Sequence, residues 1–565
     1  MRSILQRLLL LALTAVAWPH DAGAARQTVC TVTVNSADEK EAFRRSLPPD
    51  KFQFVELIEP GRSDWLASAC RRGIRCDVLV ISGHHDGESG FFSDRVEADE
   101  YLSPDQMEHE SCSDSCPGVF ANLKEVYLFG CNTLNPEPVN SASAEVVRSL
   151  MRSGHSRSDA ERIARGLGER YGGSTRERMR LIFHDVPAIY GFSSVAPLGP
   201  TAASFLNRYF HSGGSSEVAS GHPSARLVGS FSGHSLTVVR GLKDTDPQAA
   251  YRRDVCQFFD DRLSPAQKLR FVHDLLHRDP GEVRMWLDRI ERYAASLSEK
   301  ERGSPDVAQA LNDIAQDSPA RTRYLEFARD ADLPATRARM IELAAQLGWL
   351  NADQRRAELM QMISDQLARN AVGPAEVDLV CGINRNHELD AARDDLSSVV
   401  VPDRVSHAAM LACLGDAQAH ARVLQALTGA SDQEARIAEA YLHRRPLSSP
   451  AELRSIASAV AQMPNARVQV RALEALAHQQ VSDPATLDSL TDLFASTDSV
   501  AVQTAIAGIL VRADYAVLAR PDIVQTLQRH RLRTNGESMI DVLMRHLQPR
   551  SAVAQLQPVS TTSAR

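Results

Sequence analysis

The sequence predicts two fold classes in succession: a mostly parallel α/β domain over residues 26–245, and an all-α region after it. Short apolar runs alternate with helix-like segments up to about residue 240. The strand pattern then disappears, and similar Ala-rich amphipathic segments recur from about residue 404. A chain of 565 residues is also too long for one hydrophobic core and is expected to contain several domains.

Residues 1–25 have the three parts of a secretory signal peptide. Arg2 and Arg7 give a positive start, Leu8–Trp18 is an apolar run, and Ala22–Ala24 offers the small residues of a cleavage site. The run is shorter than the ~20 apolar residues of a transmembrane helix, and no cysteine lies just after it for lipid attachment. We therefore expect a periplasmic or secreted protein without a membrane anchor. The alternative is a buried N-terminal helix.

The first domain is predicted from the alternation of strands and helices. Several apolar runs are continuous, as in strands that are buried on both faces of a parallel sheet. Strands separated by helices imply right-handed crossovers and therefore a mostly parallel sheet. The predicted strands are Thr28–Val34, Phe52–Ile58, Asp77–Ser82, Glu125–Gly130 and Val186–Phe192, with a hairpin at Arg226–Phe231 and Ser235–Arg240, and the predicted helices are Ser36–Ser46, Ser63–Arg72 and Pro104–Glu110.

Helical patterns fill the rest of the chain. Residues 246–400 are predicted to be a helical connecting region, and residues 401–548 a set of paired helices. Ala-rich helices that recur at a fixed interval after a turn residue are typical of an α-solenoid, and they resemble the HEAT-repeat class. An irregular helical bundle is the alternative. The recurring segments are Ala435–Leu442, Val468–Leu476 and Val502–Leu510, preceded by Asp432, Asn465 and Asp498. The Ser/Thr/Gln-rich tail, residues 549–565, is expected to be disordered.

Two of the apolar strands end beside a reactive residue. Residues 77–87 read DVLVISGHHDG and contain His84, and residues 125–133 read EVYLFGCNT and contain Cys131. The carboxyl ends of adjacent parallel strands meet at one edge of a sheet, so His84 and Cys131 are expected to face one crevice. An imidazole beside a thiol favours the reactive thiolate and later protonates the departing amine.

These residues resemble the caspase-like superfamily of cysteine peptidases, and most closely its CHAT-type domains. The matching motifs are Ser-Gly-His at residues 82–84 and Gly-Cys-Asn-Thr at residues 130–133; residues 187–193 and the following helix to about Phe210 resemble the family's next strand and helix. The resemblance implies a caspase-haemoglobinase fold over residues 28–240. It also implies Cys131 as the nucleophile, His84 as the base and a protein or peptide as the substrate, without a metal or other cofactor.

One residue departs from the family's pattern. The family has Gly directly after the His, and its N–H helps to form the oxyanion hole, whereas this chain has His85 there and Gly only at position 87. His85, Gly87 and Gly130 are therefore the candidates for the oxyanion loop. Three hypotheses remain: His85 donates its backbone N–H instead, His85 is itself the base, or the site no longer cleaves.

The preferred interpretation is an exported cysteine endopeptidase whose helical repeats bind a protein partner. A catalytically inactive caspase-fold scaffold or protein-binding protein is the main alternative, and an acyl-transferring enzyme is a more distant one. The net charge of -8 argues against non-specific nucleic-acid binding.

The nine cysteines suggest disulfides, because an exported protein meets an oxidising compartment, and the odd number leaves at least one thiol over. The predicted pairs are Cys112–Cys116 and Cys70–Cys76. A zinc site at His109, Cys112 and Cys116 is the weaker interpretation, since the spacing is unusual and a fourth ligand is missing.

Overall fold

The structure is a computed structural model that describes residues 26–547, apart from 60, 88–89, 94–99, 114–117, 138–145, 149, 152–153, 171–172, 402, 430, 448, 464, 478–480 and 533–537. The predicted signal peptide, the tail and Cys116 therefore lie outside the described residues. The chain forms two compact units, Met1–Tyr324 and Leu325–Arg565. Their boundary falls inside the 246–400 segment of the sequence analysis.

The first unit is built on a six-stranded sheet with the strand order β2-β1-β3-β6-β7-β8. All neighbouring strands are parallel except β8, which runs antiparallel to β7 at the edge. The two-residue strands β4 and β5 form a separate antiparallel pair. The predicted mostly parallel sheet is confirmed. The strands are β1 Gln27–Thr33, β2 Phe52–Glu56, β3 Val78–Ser82, β4 His84–His85, β5 Phe91–Phe92, β6 Glu125–Phe129, β7 Ala188–Phe192 and β8 Leu236–Val239.

The continuous apolar runs of β3, β6 and β7 are explained by two hydrophobic layers, one on each face of the sheet. Alternate residues of a strand point to opposite faces. Leu79 and Ile81 of β3 accordingly join one layer, while Val78 and Val80 join the other. Every residue of these three strands is buried.

Helices cover this sheet and continue beyond it within the first unit. One prediction is wrong here: Arg226–Phe231 is not a hairpin strand but lies almost entirely in the helix Ala225–Ser230. Ser224 caps that helix by accepting a hydrogen bond from the backbone N–H of Leu227, 3.0 Å away. The helices are Asp38–Ser46, Trp65–Arg71, Pro104–Cys112, Arg157–Arg170, Thr175–Ile182, Gly199–His211, Ala225–Ser230, Ala249–Phe259, Pro265–Leu276, Pro280–Ser296, Glu299–Arg302 and Pro305–Gln316, with a 3-10 turn at Gly214–Ser216.

The second unit is helical throughout its described residues, which confirms the predicted all-α region. From Asp432 to Leu510 each helix packs against the next but one: Asp432–Arg444 against Ala466–Leu476, Pro450–Ala461 against Pro484–Ser496, and Ala466–Leu476 against Val500–Leu510. No helix in the described part of the chain is both long and apolar enough to cross a membrane. Ser318–Arg329 contains the boundary between the units, and the helices after it are Pro334–Gln346, Ala352–Ala368, Pro374–Ile383, Val405–Cys413, Ala417–Leu427, Asp432–Arg444, Pro450–Ala461, Ala466–Leu476, Pro484–Ser496, Val500–Leu510, Tyr515–Leu518, Pro521–His530 and Met539–His546, with a 3-10 helix at Asp390–Leu396.

The disulfides join cysteines that are distant in the sequence, so both predicted pairings are wrong. Cys76 is bonded to Cys30 and Cys112 to Cys256, while a third disulfide joins Cys381 to Cys413. Cys70 is also in a disulfide, and its partner lies outside the described residues. Cys112 ends one helix where it meets the helix Ala249–Phe259, and a packing contact of this kind is not visible in local spacing. The disulfide also removes Cys112 as a zinc ligand.

Candidate active site

His84 and Cys131 each lie two residues past the end of a strand, and those strands, β3 and β6, are parallel neighbours. The pairing of β3 with β6 ends with Ser82 opposite Phe129. The backbone N–H of Gly83 still donates to the Phe129 carbonyl, 3.1 Å away, so the strands remain adjacent past their assigned ends. Beyond Gly83 the chain leaves this pairing, since His84 pairs with Phe92 in the antiparallel β4–β5 ribbon and the Cβ of His85 lies against Gly130.

Cys131 carries a half-buried free thiol, whereas the other cysteines in the described residues are all in disulfides. Its Sγ accepts a hydrogen bond from the backbone N–H of Ala196, 3.3 Å away. Ala196 lies in the loop that follows β7, which the sequence analysis did not connect with the site. A backbone donor aimed at sulfur stabilises negative charge on it, as a nucleophilic thiolate requires.

Backbone hydrogen bonds fix the loop that carries the thiol. The N–H of Asn132 donates to the Ser194 carbonyl at 2.8 Å, and the N–H of Leu134 donates to the Phe192 carbonyl at 2.9 Å. The hydroxyl of Thr133 accepts from the Phe192 N–H at 3.0 Å. Asn132 itself is in the left-handed region, with a φ of 58°, which Asn tolerates better than most residues. The loop therefore turns sharply just after Cys131 and is held against the end of β7.

The two histidines differ in burial. His85 is 3% exposed, and its ring packs against Phe91 with 4.8 Å between the ring centroids. His84 is only partly buried, and its ring lies 5.7 Å from that of Phe92. Burial lowers the pKa of His85 to about 4, so its ring is neutral at pH 7.

The ring of His85 is tied to the backbone of the site. Its Nδ1 lies 3.0 Å from both the Cys131 carbonyl oxygen and the N–H of Gly87. With a proton on Nδ1 the ring donates to Cys131, and without one it accepts from Gly87. Its Nε2 is buried and has no hydrogen-bond partner among the described residues. These contacts suit a side chain that positions the Cys131 loop.

The two candidate loop glycines are both in tight surroundings. A Cβ at Gly130 would lie 2.8 Å from the Cβ of His85 and 3.0 Å from the Gly83 carbonyl oxygen. Gly87 has a φ of +95°, and its carbonyl accepts a hydrogen bond from the Thr175 hydroxyl at 2.7 Å. The N–H of Gly87 is directed to the His85 ring, so it is engaged within the protein.

A buried carboxyl group beside the end of β3 was not anticipated from the sequence. Glu39 is 4% exposed, and burial raises its pKa to about 7, with the charge of Asp38 adding to the effect. Its Oε2 has no hydrogen-bond partner in the described part of the chain. The charged helix Asp38–Ser46 gave no sign that this one carboxylate faces inward.

The first unit thus has a free thiol with a backbone donor to its sulfur just past β6, and a partly exposed imidazole just past the neighbouring parallel strand β3. No family model, curated protein or solved structure matches this chain.

Proposed function

We propose that the protein is an exported cysteine endopeptidase of the caspase-like type, with Cys131 as nucleophile and His84 as general base. The observation that supports the proposal is that His84 and Cys131, the one free cysteine of the described residues, each lie two residues past the ends of the neighbouring parallel strands β3 and β6. His84 takes the thiol proton, and the sulfur attacks the peptide carbonyl carbon. The same imidazole then gives the proton to the leaving amine, and water hydrolyses the resulting thioester.

The difference in burial favours His84 over His85 as the base. A general base must exchange protons with the substrate and be close to protonation at the working pH. His85 is buried and has a pKa of about 4, so it is a poor proton acceptor at neutral pH. We assign it a positioning role, through its contacts with Cys131 and Gly87.

Substrate contact is proposed for the loop after β7. Val195 is 70% exposed and Leu198 72% exposed, and they flank Ala196, whose N–H touches the Cys131 sulfur. Exposed apolar side chains beside a reactive thiol fit an apolar side chain of a bound peptide. Replacing both by Ser is expected to raise KM for an apolar peptide with little change in kcat.

Enzyme activity is tested with a fluorogenic peptide library and four proteins: wild type, Cys131→Ala, His84→Ala and His85→Ala. We expect Cys131→Ala to abolish cleavage and His84→Ala to cost nearly as much, because nucleophile and base act as one unit. His85→Ala should retain more activity, since its backbone N–H survives. An active His84→Ala with an inactive His85→Ala would show that the base is misassigned.

Thiol labelling separates an enzyme from an inactive scaffold. Without reductant, iodoacetamide should modify Cys131 rapidly near neutral pH, and His84→Ala should slow the reaction by about tenfold or more. His222→Ala, a histidine outside the site, serves as the control. Slow labelling that is unaffected by His84→Ala, together with no cleavage, would favour the alternative of a catalytically inactive protein-binding protein.

Export and cysteine oxidation belong to the same proposal. The disulfides fit an oxidising compartment, and residues 1–25 have the pattern of a signal peptide. Sequencing the N-terminus of the native protein should show that Met1 is absent. Intact Met1 on cytoplasmic material would contradict export.

We also propose that the second unit contains HEAT-like repeats and binds a protein partner. The N-cap residues of three of its helices, Ser431, Asn465 and Ser499, recur at intervals of 34 residues. Buried glutamines recur with them, since Nε2 of Gln469 donates to the Val460 carbonyl and Nε2 of Gln503 to the Phe494 carbonyl. An irregular bundle would not repeat a side-chain contact at the same offset.

The repeat proposal is tested by substitution and by capture. Gln469→Ala and Gln503→Ala should destabilise the second unit by similar amounts, because each leaves a buried carbonyl without its donor. A large loss of stability in one variant and a small loss in the other would contradict equivalent repeats. The partner is sought by crosslinking in the native host, with proteins that lack residues 401–548 as the control.

A further inference from the structure

Two histidines and an aspartate converge in the helical part of the first unit, away from the candidate active site. His273 lies in the last turn of the helix Pro265–Leu276, and His277 is the next residue after that helix ends. Residues four apart on a helix lie on the same face, so both imidazoles point in one direction. Asp317 follows the helix Pro305–Gln316, which packs against Pro265–Leu276.

The potential ligand atoms are close together. The Oδ2 of Asp317 lies 2.8 Å from Nε2 of His273 and 2.7 Å from Nε2 of His277. The three ligand atoms all lie within 4.8 Å of one another. A tetrahedral zinc ion with bonds of ~2.0–2.1 Å holds its ligand atoms about 3.3–3.4 Å apart, so modest side-chain rotations suffice to admit it.

We propose that His273, His277 and Asp317 form a binding site for a divalent first-row metal ion, with Zn²⁺ as the preferred occupant. Two imidazoles and one carboxylate are a ligand set that zinc commonly uses, with water at the fourth position. The orientation of the Asp317 carboxylate is also fixed, because its Oδ1 accepts a hydrogen bond from the Ala320 N–H at 3.0 Å. Among the described residues, this is the one cluster of three metal-ligating side chains.

A positive charge beside the site opposes the ion. The guanidinium nitrogen of Arg323 lies 3.4 Å from Nδ1 of His277, the nitrogen that must carry the proton when Nε2 binds metal. Arg323 is itself exposed, so its side chain can turn into solvent. Arg323→Ala should therefore strengthen zinc binding, whereas a purely hydrogen-bonded cluster gives no such expectation.

The ion would connect the end of the helix Pro265–Leu276 to the start of the helix Ser318–Arg329. Both histidines and the aspartate belong to the first unit, and the site contains none of the proposed catalytic residues. The role inferred is structural, because binding to the folded state stabilises it by mass action.

The test is zinc titration by calorimetry on the chelator-treated full chain, in a Cys131→Ala background that removes the free thiol as a competing ligand. One ion per chain is expected. His273→Ala, His277→Ala and Asp317→Asn should each weaken binding by about 100-fold or more, and His222→Ala should not. Asp317→Asn is informative because Asn keeps the helix cap and loses the charge.

Zinc should also raise the melting temperature of the Cys131→Ala protein, and His277→Ala should lose this increase. The proposal is overturned by the absence of stoichiometric zinc binding. It is equally overturned if His273→Ala, His277→Ala and Asp317→Asn bind zinc as tightly as the parent. Affinity that is unchanged in Asp317→Asn alone would exclude the three-ligand site, and affinity that falls in Arg323→Ala would contradict the proposed geometry.

Discussion

A buried charge cluster in the first unit provides a sharp test of its packing. Glu108, on the helix Pro104–Cys112, is fully buried and contacts two arginines. Its Oε1 accepts from Nε of Arg178 at 2.9 Å, and both its oxygens contact Arg289 at 2.5 and 3.0 Å. The cluster therefore joins three helices, one of which lies beyond the sheet domain.

Glu108→Gln keeps the size of the side chain and removes its charge. Burial alone would raise the pKa of Glu108, but the charges of Arg289 and Arg178 outweigh burial and lower the pKa to about 2, from an ordinary 4.5. At ~1.36 kcal/mol per pH unit, that difference corresponds to roughly 3 kcal/mol. Breaking a buried ion pair from one side costs about 3–5 kcal/mol, so both arguments predict a loss of roughly 3 kcal/mol in the free energy of unfolding at pH 7.

The pH dependence follows from the sign of the change in pKa. Because the folded pKa is the lower one, the stabilisation is complete above pH 4.5 and is lost as the pH falls towards 2. Protonated Glu and Gln are nearly isosteric, so the wild type and the variant should converge at low pH. The difference in stability should shrink across this window only.

The assay is urea denaturation followed by tryptophan fluorescence, since Trp286 is fully buried in the same helix as Arg289. Asp105→Asn is the matched control: Asp105 pairs with Arg178 at 2.6 Å but is 35% exposed, so its loss should cost no more than about 1 kcal/mol. Equal effects of the two substitutions would refute the reasoning, as would a difference between wild type and Glu108→Gln that stays constant down to pH 2.5.

Three further predictions concern other parts of the first unit. Gly130→Ala should lower the free energy of unfolding by about 1–3 kcal/mol and reduce the reactivity of the Cys131 thiol, because the added Cβ would meet backbone and His85. The control in denaturation assays is Gly233→Ala, where an added Cβ meets nothing within 4 Å. Glu39→Gln should raise the free energy of unfolding by up to roughly 3 kcal/mol above pH 7 and leave it unchanged at pH 4. The reason is that the pKa of Glu39 is higher in the folded state, so the stability of the wild type falls as the pH rises from 4.5 through 7. Equal effects at both pH values in urea denaturation would contradict this. Replacing both members of the Cys112–Cys256 pair by Ser should cost about 2–5 kcal/mol, and an unchanged thermal melt would show that this disulfide adds no stability.

Local patterns in the sequence were sufficient for most of the secondary structure. Continuous apolar runs predicted β3, β6 and β7 to within two residues, because strands buried on both faces need apolar side chains at every position. The same reasoning failed at Arg226–Phe231, where the Ser224 cap favours a helix. The apolar residues there fit either structure when only their composition is considered.

Sequence patterns predicted only part of the candidate site. The position of His84 and Cys131 after neighbouring strands follows from strand order, since the ends of adjacent parallel strands share one edge. Strand order does not predict the hydrogen bond from the Ala196 N–H to the Cys131 sulfur, or the burial of Glu39. Both depend on how a loop and a helix pack against the sheet.

The sequence by itself therefore determined the succession of an α/β unit and a helical unit, and the two residues proposed for catalysis. Only the tertiary structure decided the disulfide partners, the different environments of His84 and His85, and the meeting of His273, His277 and Asp317. The physical reason is the distance along the chain over which each kind of interaction acts. Strand and helix patterns repeat over a few residues, whereas Cys112 and Cys256 are 144 residues apart and meet only when their helices pack.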